Sequence, residues 1–124
     1  MMAFLNEEYI YLAVNDAYIK VFGLTRDNFV GYSIPKVFGT DFFNTVIKPN
    51  ADKCLNGEII NYQDWFTFSN TERSYMDVFY YPYYSNTGTI CGFIVNARNI
   101  TKQRIAEEVS SRHFPPPARS YSVV

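Results

Sequence analysis

Hydrophobic and polar positions at the start of the chain predict two short strands followed by a helix. Tyr9–Asp16 (YIYLAVND) is a short apolar run typical of a strand, and residues 1–6 are predicted as its antiparallel partner across a polar turn. Asn15 or Asp16 then caps a helix that ends at Gly23, since short polar residues begin helices and glycine commonly ends them.

The next segment predicts a cluster of short helices. One helix is expected over residues 25–31 (TRDNFVG), and a single further turn over residues 33–39 (SIPKVFG). A longer helix follows, capped by Asp41, with its apolar residues on one face. Pro49 is expected to break or kink this helix because it lacks a backbone N–H, and Gly57 ends it.

Three long strands with period-two patterning occupy the second half of the chain. They are predicted over Glu58–Ser69, Arg73–Tyr84 and residues 89–99. The polar segments between them, residues 70–72 and 85–88, are predicted as hairpin turns.

The last predicted helix begins at Thr101 and has a narrow apolar stripe of Ile105 and Val109. Such i,i+4 spacing is more typical of a coiled-coil seam than of a helix packed on a core. Beyond it, Pro115–Pro117 prevent helix formation and favour an extended linker.

Length, net charge and composition predict the number of domains and argue against a nucleic-acid-binding or membrane-spanning protein. A chain of 124 residues predicts one domain, and a net charge of −1 gives no reason to expect nucleic acid as a partner. Aromatic residues make up 19% of the chain and favour a β-rich core, with a ligand cage as the less favoured interpretation. No apolar run approaches the ~20 residues that cross a bilayer, and no signal peptide is expected.

The two cysteines argue against a metal site. Cys54 and Cys91 form no CxxC pair and the chain has one histidine, so no structural zinc site is expected. Reduced, buried cysteines predict a cytoplasmic protein.

The order of elements resembles the PAS domain, a sensor module of bacterial signalling proteins, and most of all those of sensor histidine kinases. The resemblance rests on VNDAYIKVFGLTRDNFVGYSI, CLNGEIINYQDWF and YMDVFYYPYYSNTGTICGFIVNARNIT, and it extends over roughly Phe4 to Glu108. It implies an α+β fold, with a five-stranded antiparallel sheet flanked by short helices and a C-terminal exit helix. Residues 1–100 would form the sensory domain, 101–113 the exit helix, and 114–124 a proline-rich linker or tail.

In this family the concave face of the sheet and the short helices enclose the ligand. The family's register and the strand period of two predict which residues face inward. These are Tyr62, Asp64, Phe66, Met76, Val78, Tyr80, Phe93, Val95 and Ala97, with Phe22 and Ile34 from the helices. Asp64 could meet a ligand amine, or be satisfied by Tyr62 or a backbone amide, and a filled interior without ligand is an open alternative.

The resemblance also tests particular cofactors. Flavin-binding members carry amide side chains where this chain has Phe66, Met76 and Ala97, and the reactive cysteine of photoactive members is replaced by Ile34. Haem-binding members use a histidine on the long helix, which has none here, and His113 is expected to be a linker residue. Neither haem nor a photoactive flavin is therefore expected, and the cofactor, if one exists, is unknown.

The opposite parity of the strands predicts an aromatic outer face. It would hold Trp65, Tyr75, Phe79, Tyr81 and Ile94, a larger apolar patch than monomers usually expose. A second copy of the chain is expected to cover it, which predicts a homodimer, and a segment preceding Met1 is the alternative.

At the junction with the exit helix, the family's usual Asp-Ile-Thr triplet is replaced by Asn99-Ile100-Thr101. Thr101 is predicted as the N-cap of the helix, with its hydroxyl accepting a bond from the first turn. Asn99 can keep the hydrogen bond of the usual aspartate but not its charge.

The favoured function is a sensory and dimerisation module of a larger protein, a two-component histidine kinase. Its partners would be its own output domain, a second copy and a candidate small-molecule ligand, with no nucleic acid and no insertion into a membrane. The fragment itself is not expected to be an enzyme. The alternatives are a ligand-free dimerisation module and a small cone-shaped enzyme with Asp64 or Asp77 as general base.

Overall fold

The computed structural model describes residues 1–67 and 73–113, with side chains as far as Val109. The turn predicted at residues 70–72 and the tail predicted at residues 114–124 lie outside the described residues.

Five antiparallel strands form one sheet in the order β2-β1-β5-β4-β3. The two strands from the start of the chain thus pair with the last strand. The strands are β1 Met2–Asn6, β2 Tyr11–Val14, β3 Ile60–Phe66, β4 Ser74–Tyr84 and β5 Ile90–Asn99. The predicted α+β fold, with its five-stranded antiparallel sheet, is confirmed.

Short helices cover one face of this sheet, and a longer helix leaves its end. They are α1 Asp16–Phe22, a 3-10 turn Arg26–Asn28, α2 Ile34–Phe38, α3 Thr40–Phe42, a π-helical turn Phe43–Ile47, α4 Lys48–Leu55 and the exit helix α5 Thr101–His113. Among the described residues, no helix is both long and apolar enough to cross a membrane.

Local hydrogen bonds explain the bounds of α1. The Asn15 side chain accepts a bond from the Tyr18 backbone N–H at 3.1 Å, which satisfies an amide that the helix itself leaves free. Gly23 ends the helix in the left-handed conformation, with φ 66°. Both ends agree with the sequence-based prediction.

The long helical segment differs from the prediction in two details. Asp41 lies inside the first turn, because helix α3 already begins at Thr40 after Gly39. Pro49 does not break the segment: it occupies the first turn of α4, where a missing N–H costs least, directly after the π-helical turn Phe43–Ile47.

The register of the sheet decides which side chains face the helices. Val78 lies opposite Tyr62 on one side and Ala97 on the other, and Tyr80 lies opposite Val95. Residues that are opposite each other share a face of the sheet. This inner face and the helices enclose the core.

Gly92 of β5 marks the closest approach between two strands. It lies opposite Asn6 of β1, and a Cβ atom added at Gly92 would overlap the carbonyl oxygen of Leu5. Only glycine leaves the space that β1 needs here.

Candidate functional site

A cavity of about 30 Å³ lies between the inner face of the sheet and the helices. The side chains that line it are almost entirely apolar, and three tyrosines carry their polar groups. The residues that line it are Met1, Leu5, Tyr11, Tyr18, Ile34, Phe38, Ile47, Phe66, Met76, Val78, Tyr80, Val95 and Ala97.

Seven of the predicted ligand-pocket residues line this cavity, namely Ile34, Phe66, Met76, Val78, Tyr80, Val95 and Ala97. The other four are placed around it. Phe93 is completely buried and its ring lies 5.2 Å from that of Tyr80. Phe22 packs on Tyr18 and Phe29. The role of all eleven as ligand contacts stays a prediction.

The two remaining predicted residues, Tyr62 and Asp64, lie on β3 and are only partly buried. An Asp64 carboxylate oxygen accepts a bond from the backbone N–H of Trp65 at 2.7 Å. Of the alternatives left open for Asp64, the backbone amide is therefore the partner in this structure. The Tyr62 hydroxyl bonds that of Tyr80 at 2.6 Å.

A second pair of tyrosines, Tyr11 and Tyr18, was missing from the predicted pocket. Their hydroxyl oxygens lie 2.6 Å apart, and β2 and α1 supply one residue each. Burial is the main cause that raises the pKa of both hydroxyls, so both stay neutral. The only sequence signal was the position of Tyr18 on the apolar face of α1.

The size of the cavity limits what it can hold without rearrangement. A space of about 30 Å³ accommodates roughly one or two water molecules, whereas ligand sites usually have volumes of ~300–1,000 Å³. The residues present offer no apparent metal site: within the described part of the chain, no three His, Cys, Asp or Glu side chains are grouped to hold a metal ion.

At the end of the sheet, the exit helix is hydrogen bonded to strand β4. The Ile100 N–H donates to the Tyr75 carbonyl at 2.8 Å, and the Tyr75 N–H donates to the Thr101 hydroxyl at 2.8 Å. The Asn99 side chain accepts bonds from the Thr101 N–H at 2.9 Å and from its hydroxyl at 2.5 Å.

These bonds correct the expected cap. Thr101 is the first residue of α5, and its hydroxyl accepts its bond from β4 instead of from the first turn of the helix. The reason is the neighbouring strand: it brings the free N–H of Tyr75 to the hydroxyl, while Asn99 accepts the bond from the amide at the helix start. Asn99 thus keeps a hydrogen bond without a charge, as the sequence indicated.

The predicted dimer-face residues lie together on the outer face of the sheet, and each is partly buried. Two arginines of the same chain shield part of these aromatic side chains from solvent. The Arg73 guanidinium lies 4.1 Å from the ring centre of Trp65, and that of Arg104 lies 4.2 Å from the ring centre of Tyr75. Arg104 belongs to α5, so the exit helix packs on part of the outer face, which the sequence did not reveal.

The strand order, the short helices and the junction with the exit helix can be compared with those of known protein families. The family model for the PAS domain matches residues 1–102. The chain belongs to the PAS domain family. No curated protein matches it.

Solved structures of other PAS proteins share the fold of this PAS domain at low identity. A PAS domain from Colwellia psychrerythraea is 11% identical over 82% of this chain and 86% of that chain, with a TM-score of 0.70. The PAS domain of the histidine kinase ThkA is 19% identical over 77% of this chain and 94% of that one, with a TM-score of 0.60.

A third similar structure is the VqmA dimer of Vibrio cholerae, described as a LuxR-type receptor. It is 14% identical over 86% of this PAS domain, with a TM-score of 0.71, and the match spans 49% of the VqmA chain. The PAS domain thus corresponds to about half of that protein.

Membership of this family overturns the cone-shaped fold as an alternative. The proposed base Asp77 is also unsuited to that role. Bonds from Gln63 and Asn61, each 2.8 Å long, and the charge of Arg98 lower the pKa of Asp77 although burial opposes the change. A carboxylate with a lowered pKa is a weaker base.

Proposed function

We propose that this PAS domain is the cytoplasmic sensory and dimerisation module of a larger signal-transduction protein, with a two-component histidine kinase as its output. The observation that carries the proposal is the bonding of the exit helix to β4 through Tyr75. A helix attached to the sheet in this way can change its position when the sheet does. The similarity in fold to the PAS domain of ThkA supports the choice of output.

The proposed path from the interior to the exit helix is one residue long. Met76 faces the cavity, and the preceding residue, Tyr75, uses both its N–H and its C=O to hold the start of α5. A molecule that displaces Met76 would shift the β4 backbone and therefore these two bonds. Two copies joined through the outer face would pass the shift to a paired output domain.

The coupling is tested in the full-length protein with two variants of Thr101. Thr101→Ala removes the hydroxyl that accepts the Tyr75 N–H, whereas Thr101→Ser retains a hydroxyl. We expect the alanine variant to lose about 1 kcal/mol locally and to change the phosphorylation output, and the serine variant to restore it. Equal phosphorylation output from the wild type and both variants would show that the junction only connects the two domains and does not transmit a signal.

A ligand-free dimerisation module is the second candidate, and the cavity of about 30 Å³ favours it. Native mass spectrometry of gently purified protein distinguishes the two functions. A stoichiometric small molecule supports sensing, and its repeated absence supports the ligand-free module.

A further inference from the structure

Two deeply buried tyrosines that line the cavity have their hydroxyl groups paired. Tyr11 exposes 1% of its surface and Tyr18 exposes 4%. Their rings meet at 5.7 Å in an edge-to-face arrangement, and their hydroxyl oxygens are 2.6 Å apart. The pair therefore has a fixed geometry and no access to bulk water.

Counting protons shows that this pair lacks an acceptor. Each tyrosine hydroxyl has one proton to donate, and the bond within the pair uses only one of the two. No further hydrogen bond to either hydroxyl comes from residues 1–67 or 73–109. A buried donor without an acceptor is costly, so the second proton would favour a molecule in the cavity that offers an acceptor.

The Tyr62–Tyr80 pair differs in its burial and its place. Tyr62 is only partly buried and does not line the cavity, whereas Tyr80 is buried and does. The second pair nevertheless lies near the first: besides burial and Tyr18, both Tyr80 and Tyr62 raise the pKa of Tyr11. Of the two pairs, Tyr11–Tyr18 is the one in which both members are buried and both line the cavity.

We propose that the Tyr11–Tyr18 hydroxyl pair is the polar anchor of an internal site for a small, flat, neutral molecule that carries a hydrogen-bond acceptor. The acceptor, an aromatic nitrogen or a carbonyl oxygen, takes the free proton of the pair. Among the described residues that line the cavity, none has a charged side chain, which favours a neutral ligand over an ionised one. The proposal rests on the sensory function proposed above.

Space for such a molecule comes from Met76. This residue is buried, lines the cavity and has an unbranched side chain that adapts its shape more readily than its neighbours. Movement of Met76 would then connect occupancy of the site to Tyr75 and the exit helix.

The test uses pyridine and benzene, two flat probes of nearly equal shape of which only pyridine has an acceptor. Both are titrated into the purified domain at neutral pH and followed by nuclear magnetic resonance. The quantity compared is the ratio of the pyridine affinity to the benzene affinity. This ratio is measured in the wild type, in Tyr11→Phe, in Tyr18→Phe, in the double variant of both, and in Tyr81→Phe as a control on the outer face.

The two single variants and the double variant are expected to differ in their affinity ratios. Either single variant still has one hydroxyl with a free proton, so its ratio stays within about twofold of the wild type. The double variant has lost both hydroxyls of the Tyr11–Tyr18 pair, and its ratio falls about tenfold, as expected for one lost hydrogen bond. Tyr81→Phe leaves the ratio unchanged, and Met76→Ala strengthens the binding of both probes.

Two results would overturn the inference. An unchanged ratio in the double variant, with both probes still bound, would reject the tyrosine anchor and leave ligand sensing intact. Failure of both probes to bind the wild type and Met76→Ala would show that the cavity does not open for flat molecules. The sensory function itself is judged separately, by native mass spectrometry for a bound molecule.

Discussion

At the scale of single residues, the tightest steric limit lies at Gly92. A Cβ atom there would overlap the Leu5 carbonyl oxygen and lie 3.2 Å from the Asn6 Cα. Both neighbours are backbone atoms of a paired strand, so neither can rotate away. The space is needed for β1 to pair with β5.

Gly92→Ala is therefore expected to destabilise the domain by about 3 kcal/mol, the upper part of the usual range for added bulk in a packed interior. Urea denaturation measures the free energy of unfolding. Thr89→Ala, at an exposed position of the neighbouring turn, is the matched control and should change it little. Wild-type stability of Gly92→Ala would mean that β1 lies farther from β5.

Tyr9 is the residue with the most unusual backbone. It has a positive φ of 64°, which is uncommon for a residue with a side chain. Its hydroxyl donates a bond to Asp52, and its ring packs on Phe43 at 5.0 Å. Burial would raise the pKa of Asp52, but the bonds from Lys48 and Tyr9 outweigh it and lower that pKa.

The Tyr9–Asp52 bond predicts a loss of stability at high pH. Burial, the bond to Asp52 and its charge raise the pKa of Tyr9 to about 12. Because the folded state holds the proton more strongly than the unfolded state, this contribution is complete below pH ~10 and is lost as the pH rises toward ~12. Unfolding in urea at about pH 9 and about pH 11 should show a larger decrease for the wild type than for Tyr9→Phe. Equal decreases would contradict the role of this bond.

At the scale of elements, the exit helix has more contacts with the sheet than its polar sequence indicates. Ile105 and Val109 are 52% and 45% exposed, so its apolar stripe makes little contact with the domain. The helix is held instead at its start. The Tyr75 backbone bonds Ile100 and Thr101, and the Arg104 guanidinium packs on the Tyr75 ring. The exposed stripe remains available for a partner copy.

Arg104→Ala should loosen the exit helix without unfolding the domain. A cation–π contact at a partly exposed site contributes about 1 kcal/mol. Hydrogen exchange of the amides in the first two turns of α5 should accelerate about fivefold, while amides of β4 and β5 exchange as before. Lys102→Ala, on an exposed position of the same helix, is the control. Identical exchange in the two variants would show that the contact does not hold the helix.

At the scale of the whole molecule, the arginines change how the dimer proposal should be tested. A carboxylate at position 65 would lie between Arg73 and Arg104, where it could form ion pairs instead of disrupting an interface. Phe79 and Ile94 lie away from both arginines on the same outer face. They are therefore the better positions for a charge.

The Phe79→Glu, Ile94→Glu double variant should sediment as a monomer if the outer face joins two copies, because buried carboxylates would be left unpaired. Tyr32→Glu places the same charge at an exposed position on the helical side and should leave the dimer intact. A dimer that survives the double variant would exclude this face as the interface.

Much of the fold could be predicted from local patterns. The caps of α1 depend on residues within one turn, and the alternation along β4 depends on neighbours two positions apart. Pro49 shows the limit of such rules: its effect depends on the turn before it, which is π-helical and allows the helix to continue. Family resemblance supplied the single five-stranded antiparallel sheet, while the order of its strands, with β1 beside β5, came only from the structure.

By itself, then, the sequence determined the approximate positions of the strands and helices and both ends of α1, and with the family's register it predicted the side of the sheet that the strand residues face. These properties follow from the period of two and from short-range hydrogen bonds. Only the tertiary structure decided that Tyr11 meets Tyr18, that Arg104 covers Tyr75, and that the cavity is about 30 Å³. Each of these depends on how elements pack together in space, and packing within a few tenths of an ångström decides volumes and contacts that no sequence pattern encodes.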